Sequence, residues 1–184
     1  YQVKKVPIIS NLYISPSPGF MMVGDIKFEP EMIEVAGPKE EIALVNHVQT
    51  LEDTINNIST PFNGKIKVFS NQRLIEYKPT HVQISLDIQQ ISEKIIADIP
   101  VIINNVPKKI RVFPSPQTVS LTVIGGLQRI ALIDPQEIKV YINFEDWSSQ
   151  TQFYEPKVNL PYGLLNWKDI SPKSLEIAVA REIR

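Results

Sequence analysis

The sequence predicts an all-β protein made of two tandem small modules, sandwich- or barrel-like, each carrying one short helix. Three observations predict it. The first is the choice of apolar residues: 27 Ile and 16 Val stand against 12 Leu and 6 Ala. β-branched side chains are stiff at χ1 and fit a pleated surface, whereas Leu and Ala are the good helix formers. The second is the 15 prolines, which break long helices but fit turns and edge strands. The third is a recurring phrase, Pro-x-x-Φ-x-Φ with Φ apolar. It starts at Pro30, Pro79, Pro116, Pro135 and Pro172. Each occurrence reads as a proline-marked turn feeding a strand with one buried face.

A tighter phrase sets the modular organisation. Gly37–Val45 (GPKEEIALV) matches Gly125–Ile133 (GGLQRIALI), 88 residues apart, and the Pro172 phrase follows the Pro79 phrase by 93. Two phrases in the same order at nearly the same separation argue for two copies of one module. The expected modules are 1–90 and 91–184. No Gly/Ser-rich linker separates them, and 86–103 can carry strand pairing across the boundary, so closely abutted modules are expected.

In chain order, each copy opens with a strand containing Φ-Pro-Ile/Val: Val6-Pro7-Ile8 in the first, Ile99-Pro100-Val101 in the second. The Pro30 and Pro116 phrases supply the next strand, anchored by Ile33 and Val35 and by Val119, Leu121 and Val123. The Gly-start segment then turns into a short helix. Pro38 suits a first helical position, Glu40 and Glu41 suit a helix N-terminus, and Ile42 and Val45 share one face. Closing strands are expected at Lys65–Phe69, His81–Ile88, Glu137–Phe144 and Ser174–Ala180. The Asn-Gly of Phe62–Lys65 reads as a tight hairpin.

Charge and composition exclude several functions. The net charge is −1 with both signs interspersed, and the densest basic cluster, Lys108, Lys109 and Arg111, fits a solvated strand edge. No nucleic-acid partner is expected. With no cysteine there is no disulfide, Cys-zinc site or thiol catalysis. No apolar run approaches the roughly 20 residues of a membrane span. The chain opens on Tyr1 and not on Met, and an upstream signal or anchor helix is one candidate for a removed segment.

Catalytic motifs are missing. There is no phosphate loop, no dinucleotide fingerprint and no nucleophile elbow. The two histidines, His47 and His81, do not have metal-ligand spacing. Glu52 and Asp53, or Glu145 and Asp146, are neighbours, but adjacent strand residues face opposite sides. The expectation is a non-enzyme with no catalytic residue, no metal site and no cofactor. Asn57–Ser59 (NIS) matches a glycosylation sequon, a short and unspecific signal. The one distinctive cluster is aromatic. The segment 145–167 holds both tryptophans, and Trp147, Tyr162 and Trp167 are the candidate partner-binding residues. Such a cluster fits a partner hot spot, and equally the core and end cap of a β-module.

The approach SPGFMMVGDIKFEPEMIEVAGPKEEI and its short helix resemble the YbbR-like domain. The second copy, IPVIINNVPKKIRVFPSPQTVSLTVIGG followed by IKVYINFEDW, resembles the same domain. The resemblance implies a bacterial protein with an N-terminal transmembrane helix and tandem β-rich modules on the extracytoplasmic side of the cell membrane. It implies a regulatory partner, a membrane diadenylate cyclase that makes cyclic di-AMP, or another envelope protein. It implies no catalytic residues. Gly126 in place of the corner proline and the aromatic tail of copy two depart from the pattern and leave the partner surface open. The alternative expectation is an envelope scaffold or adhesion protein that binds glycan or protein.

Overall fold

The computed structural model describes residues 1–181. The chain folds as two compact units, Tyr1–Gln90 and Ile91–Arg184. In both, strands are the predominant element.

Unit 1 comprises β1 (Gln2–Ile9), β2 (Leu12–Pro16), β3 (Phe20–Met22), β4 (Lys27–Glu29), β5 (Met32–Gly37) and the helix α1 (Lys39–Ala43). It continues with β6 (Val48–Gln49), β7 (Asp53–Ile58), β8 (Phe62–Lys67), β9 (Glu76–Lys78) and β10 (His81–Leu86). Its main sheet has the order β6-β1-β5-β9, and β4-β10-β8 form a second sheet. The core is a cluster around Val6, Ile33, Val35, Ile42, Val82 and Ile84.

Strand β11 (Ile88–Asn104) contains the division between the units; its Ile88–Gln90 segment pairs with β3. Unit 2 continues with β12 (Ile110–Ser115), β13 (Thr118–Gly126), α2 (Leu127–Ala131), β14 (Lys139–Asn143), β15 (Lys157–Asn159), β16 (Leu164–Ser171) and β17 (Glu176–Arg181). Its main sheet runs β15-β14-β11-β13-β16, with β12 and β17 paired apart. Its core gathers around Ile99, Leu121, Val123, Ile130, Val140 and Leu175.

The two units use one pairing scheme. In each, the opening strand pairs antiparallel with the strand before the helix, then parallel with the strand after it. The proline marks the change of partner. Pro7 lies opposite Met32 at the end of one ladder, and Ile8 begins the parallel pairing with Val48. Pro100 lies opposite Thr118, and Val101 begins the pairing with Val140. A residue without an N–H costs least where one ladder ends and another starts.

The Pro-x-x-Φ-x-Φ phrases each lead into a strand. The peptide bonds before Pro30, Pro79, Pro116 and Pro172 are cis, while Pro135 starts a short 3-10 turn. Their apolar positions alternate inward: Ile33 and Val35, Val82, Ile84 and Leu86, and Ile138, Val140 and Ile142 are all buried.

The repeated nine-residue phrase occupies the same place in both units. Gly37 ends β5 and Gly125 lies near the end of β13, each just before the helix. Pro38 (φ −56, ψ 139) and Gly126 (φ −64, ψ 138) share one backbone conformation. That φ is proline's own, so either residue can hold the corner. Within the helices, Ile42 and Ile130 point into their cores, and Val45 N–H and Ile133 N–H donate to their carbonyls at 3.1 Å in both units.

The corner glycines are tightly packed. A Cβ on Gly37 would lie 2.7 Å from the Leu74 carbonyl oxygen, whereas one on Gly125 would first meet the end of the Leu164 side chain at 3.0 Å. Backbone cannot yield as a side-chain tip can. Gly37→Ala should therefore cost about 1–3 kcal/mol of stability, and Gly125→Ala less. Urea denaturation of the two variants checks this, and a larger loss for Gly125→Ala would contradict the packing account.

The structure corrects one turn and several boundaries. Asn63 and Gly64 form no hairpin but lie within β8, where Gly64 pairs with Ile84. The Phe62 ring covers the bare face of Gly64, with ring carbons 2.8 Å from where a Cβ would sit. Asn63 Oδ1 accepts from Ser85 Oγ across the strands. The Asn-Gly pair thus serves cross-strand packing, not a left-handed turn. Accordingly β8 spans Phe62–Lys67, not Lys65–Phe69, and β10 stops at Leu86. β14 starts at Lys139, after the 3-10 turn, and β17 covers Glu176–Arg181.

Three strand irregularities share a device. At Asn57 (φ 54), Asp98 (φ 55) and Asp169 (φ 53) the register shifts in β7, β11 and β16. Each bulge places its extra residue in the left-handed region, where Asn and Asp are the most tolerant non-glycine residues. The Asn57 of the sequon is one of them.

Candidate interaction surface

The described residues contain no metal-binding constellation, since no three His, Cys, Asp or Glu come together among them. His47 and His81 are exposed, as are Glu52, Asp53, Glu145 and Asp146. Among the described residues, no helix is long and apolar enough to cross a membrane. The isolated chain is expected to bind neither zinc nor ATP nor cyclic di-AMP. Calorimetry showing micromolar binding of any of them would overturn that expectation.

The three aromatic candidates fall into two environments. Trp147 follows a 3-10 turn, Phe144–Asp146, whose start is capped by Asn143: its Oδ1 accepts from Glu145 N–H at 3.0 Å. The indole stacks on Phe144 with ring centroids 5.5 Å apart and planes 12° apart. It is partly buried against the unit 2 core. Trp167 lies in mid-β16 opposite Val123 of β13, also partly buried on that core. Both tryptophans therefore have a structural role and present only part of their surface outward.

Tyr162 differs: its side chain is 69% exposed. Its backbone is held in place by Arg129 of α2. Nε donates to the Tyr162 carbonyl at 3.1 Å and Nη2 at 3.0 Å, and Nη2 also donates to Glu137 Oε2 at 3.1 Å. Gly163 takes φ +92 immediately after, a conformation open to glycine, and lets the chain enter β16. An exposed aromatic on a fixed backbone is a suitable contact residue, because little entropy remains to be lost.

The loop 148–153 is fixed from below. Tyr154 is buried, and its hydroxyl accepts from Ser148 N–H at 3.1 Å while lying 3.0 Å from the carbonyl oxygens of Ser148 and Thr151. On the outer side of the sheet, Lys168 Nζ lies 2.8 Å from Glu93 Oε1. This hydrogen bond, and then the carboxylate charge, hold the Lys168 ammonium above its ordinary value. The pair is solvated and contributes little to stability.

Sequence reasoning missed the corner leucines. Leu44 and Leu132, the Leu of each Ile-Ala-Leu, are 79% and 82% exposed. The signal was available. Two residues along a helix is roughly 200°, so if Ile faces the core the second residue after it faces outward.

Taken together, these features define a class: a protein of tandem β-modules, each closed by a glycine-led helical corner that exposes a leucine. Residues 6–86 match the family model of YbbR-like proteins. The match lies within unit 1, so unit 1 is similar to a YbbR-like domain. The chain is also similar to the solved structure of a YbbR-like protein from Streptococcus pneumoniae, at 12% identity and a TM-score of 0.41, over 99% of this chain and 98% of that one. Among curated proteins none matches.

Proposed function

We propose that this chain is the non-enzymatic, extracytoplasmic interaction region of a membrane-anchored bacterial protein that modulates a membrane diadenylate cyclase. The observation that carries the reading is the YbbR-like match over residues 6–86. An exposed aromatic on a fixed backbone supports an interaction role. In this reading the β-modules supply shape and apolar contacts to the partner, and the cyclase performs the chemistry. Tyr162 is the first contact residue to test, with the outward faces of Trp147 and Trp167 beside it in rank.

The test is co-purification of the chain with the detergent-solubilised cyclase of the same organism. Cyclic di-AMP production is measured with and without the full-length protein. Retention on the cyclase and a changed output are expected. No retention together with an unchanged output would remove the cyclase from consideration.

A further inference from the structure

Beside the helical corner of unit 1 lies an open pocket of about 310 Å³. That is the lower end of the range of about 300–1,000 Å³ for small-molecule sites. Its lining residues include two aromatics, Phe69 and Tyr77, four amides, Asn46, Gln49, Asn71 and Gln72, and one imidazole, His47. We propose that this pocket binds an uncharged saccharide. The inference does not depend on the cyclase reading.

Three features point to that ligand class. First, the lining has no carboxylate, lysine or arginine. Charged residues make up 21% of the chain, so ten lining positions would be expected to hold about two, yet they include no Asp, Glu, Lys or Arg. A cationic ligand would be desolvated there without a counter-charge. Second, the four amide residues are all exposed at the pocket. Each offers both a donor and an acceptor, which matches hydroxyl groups that are themselves both. An apolar ligand would instead cover these amides and leave them unpaired, a costly outcome.

Third, the aromatic rings sit on a fixed frame. Phe69 N–H donates to the Gln49 carbonyl at 2.7 Å, and the adjacent Val68 is buried, so the half-exposed phenyl ring projects from pinned backbone. Tyr77 lies in β9 opposite Val35 and packs on the core. Burial pushes the Tyr77 phenol up from its ordinary value, and its hydroxyl, protonated at neutral pH in either case, can donate. Aromatic faces next to amides give a sugar ring an apolar surface for its C–H face and partners for its hydroxyls.

The experiment titrates the ¹⁵N-labelled chain with the trisaccharide of N-acetylglucosamine and, separately, with maltotriose, following backbone amide shifts. The expected result is saturable shifts at Asn46, Gln49, Phe69 and Gln72 with at least one of the two. Phe69→Ala and Gln49→Ala should each weaken binding about tenfold, a change of about 1.4 kcal/mol. Circular dichroism should confirm that both variants keep the fold, as their exposed side chains imply. Leu165→Ala in unit 2 serves as the unaffected control. No saturable shift with either trisaccharide, shifts confined to other residues, or equal affinity in Phe69→Ala would each overturn the proposal. So would a response only to a neutral peptide such as acetyl-Gly-Asn-Gly-amide.

Discussion

Ile130→Ala is expected to lower the stability of unit 2 by about 2–5 kcal/mol, and Ile42→Ala to do the same to unit 1. Each isoleucine is the single buried residue of its five-residue helix: Ile42 is 0% exposed and Ile130 3%. A helix this short has no stability of its own, because nucleation is unfavourable and few hydrogen bonds follow it. The side chain that ties it to the core therefore holds the corner. Truncation leaves a cavity between the helix and the strand before it, with little chance of collapse, since Gly37 is already packed against the Leu74 backbone and Gly125 against Leu164. The control lies two residues further along each helix. Leu44→Ala and Leu132→Ala remove side chains that are largely in solvent and should stay within about 0.5 kcal/mol. Both tryptophans lie in unit 2, so urea unfolding followed by their fluorescence reports Ile130→Ala against Leu132→Ala. Far-UV circular dichroism follows the unit 1 pair. Equal losses within a pair would refute the assignment of inward and outward faces.

Trp167→Ala is expected to cost about 2–3 kcal/mol of unit 2 stability. A fully buried tryptophan would cost more; this one keeps part of its surface in solvent. It lies opposite Val123, which is fully buried at the centre of the unit 2 sheet, so the indole covers one side of the core. Trp147→Ala should fall in the same range, because it removes both the core contact and the stacking on Phe144. Tyr162→Ala should behave in the opposite way. It is largely exposed, and Arg129 donates to its backbone carbonyl, which alanine retains. Stability should hold within about 0.5 kcal/mol, while partner affinity should fall by about 2 kcal/mol if the tyrosine is a hot spot. Melting and co-purification measured on the same three variants separate the roles. A destabilised Tyr162→Ala would show that the loop needs the ring, and unchanged binding would remove Tyr162 from the partner surface.

Much of the fold is legible in the chain because its signals are local. An excess of Ile and Val over Leu and Ala announces strands. Alternation after each proline picks out the buried face, and the inward positions from Ile33 to Val140 follow it. The Ile-Ala-Leu repeat marks the two corners, because a strand-to-helix turn closed by one apolar anchor is encoded within nine residues. The candidate site was less legible. Its aromatic residues are visible in the sequence, but their exposure is not, and that is what separates Tyr162 from the two tryptophans.

By itself, then, the sequence determined the all-β class, the proline-led strands and the helical corner, since each depends on neighbours a few positions away. Only the tertiary structure decided the remainder. It made Asn63-Gly64 part of a strand, because the Phe62 ring and Ser85 wait across that face. It put the bulges at Asn57, Asp98 and Asp169, where two strands of unequal length must stay in register. It brought Phe69 and Tyr77 together around exposed amides, from segments that no local pattern connects. The physical reason is common to all three. A residue's own preferences and its near neighbours set which face of a strand is apolar, but the identity of what covers that face belongs to chain arriving from far away.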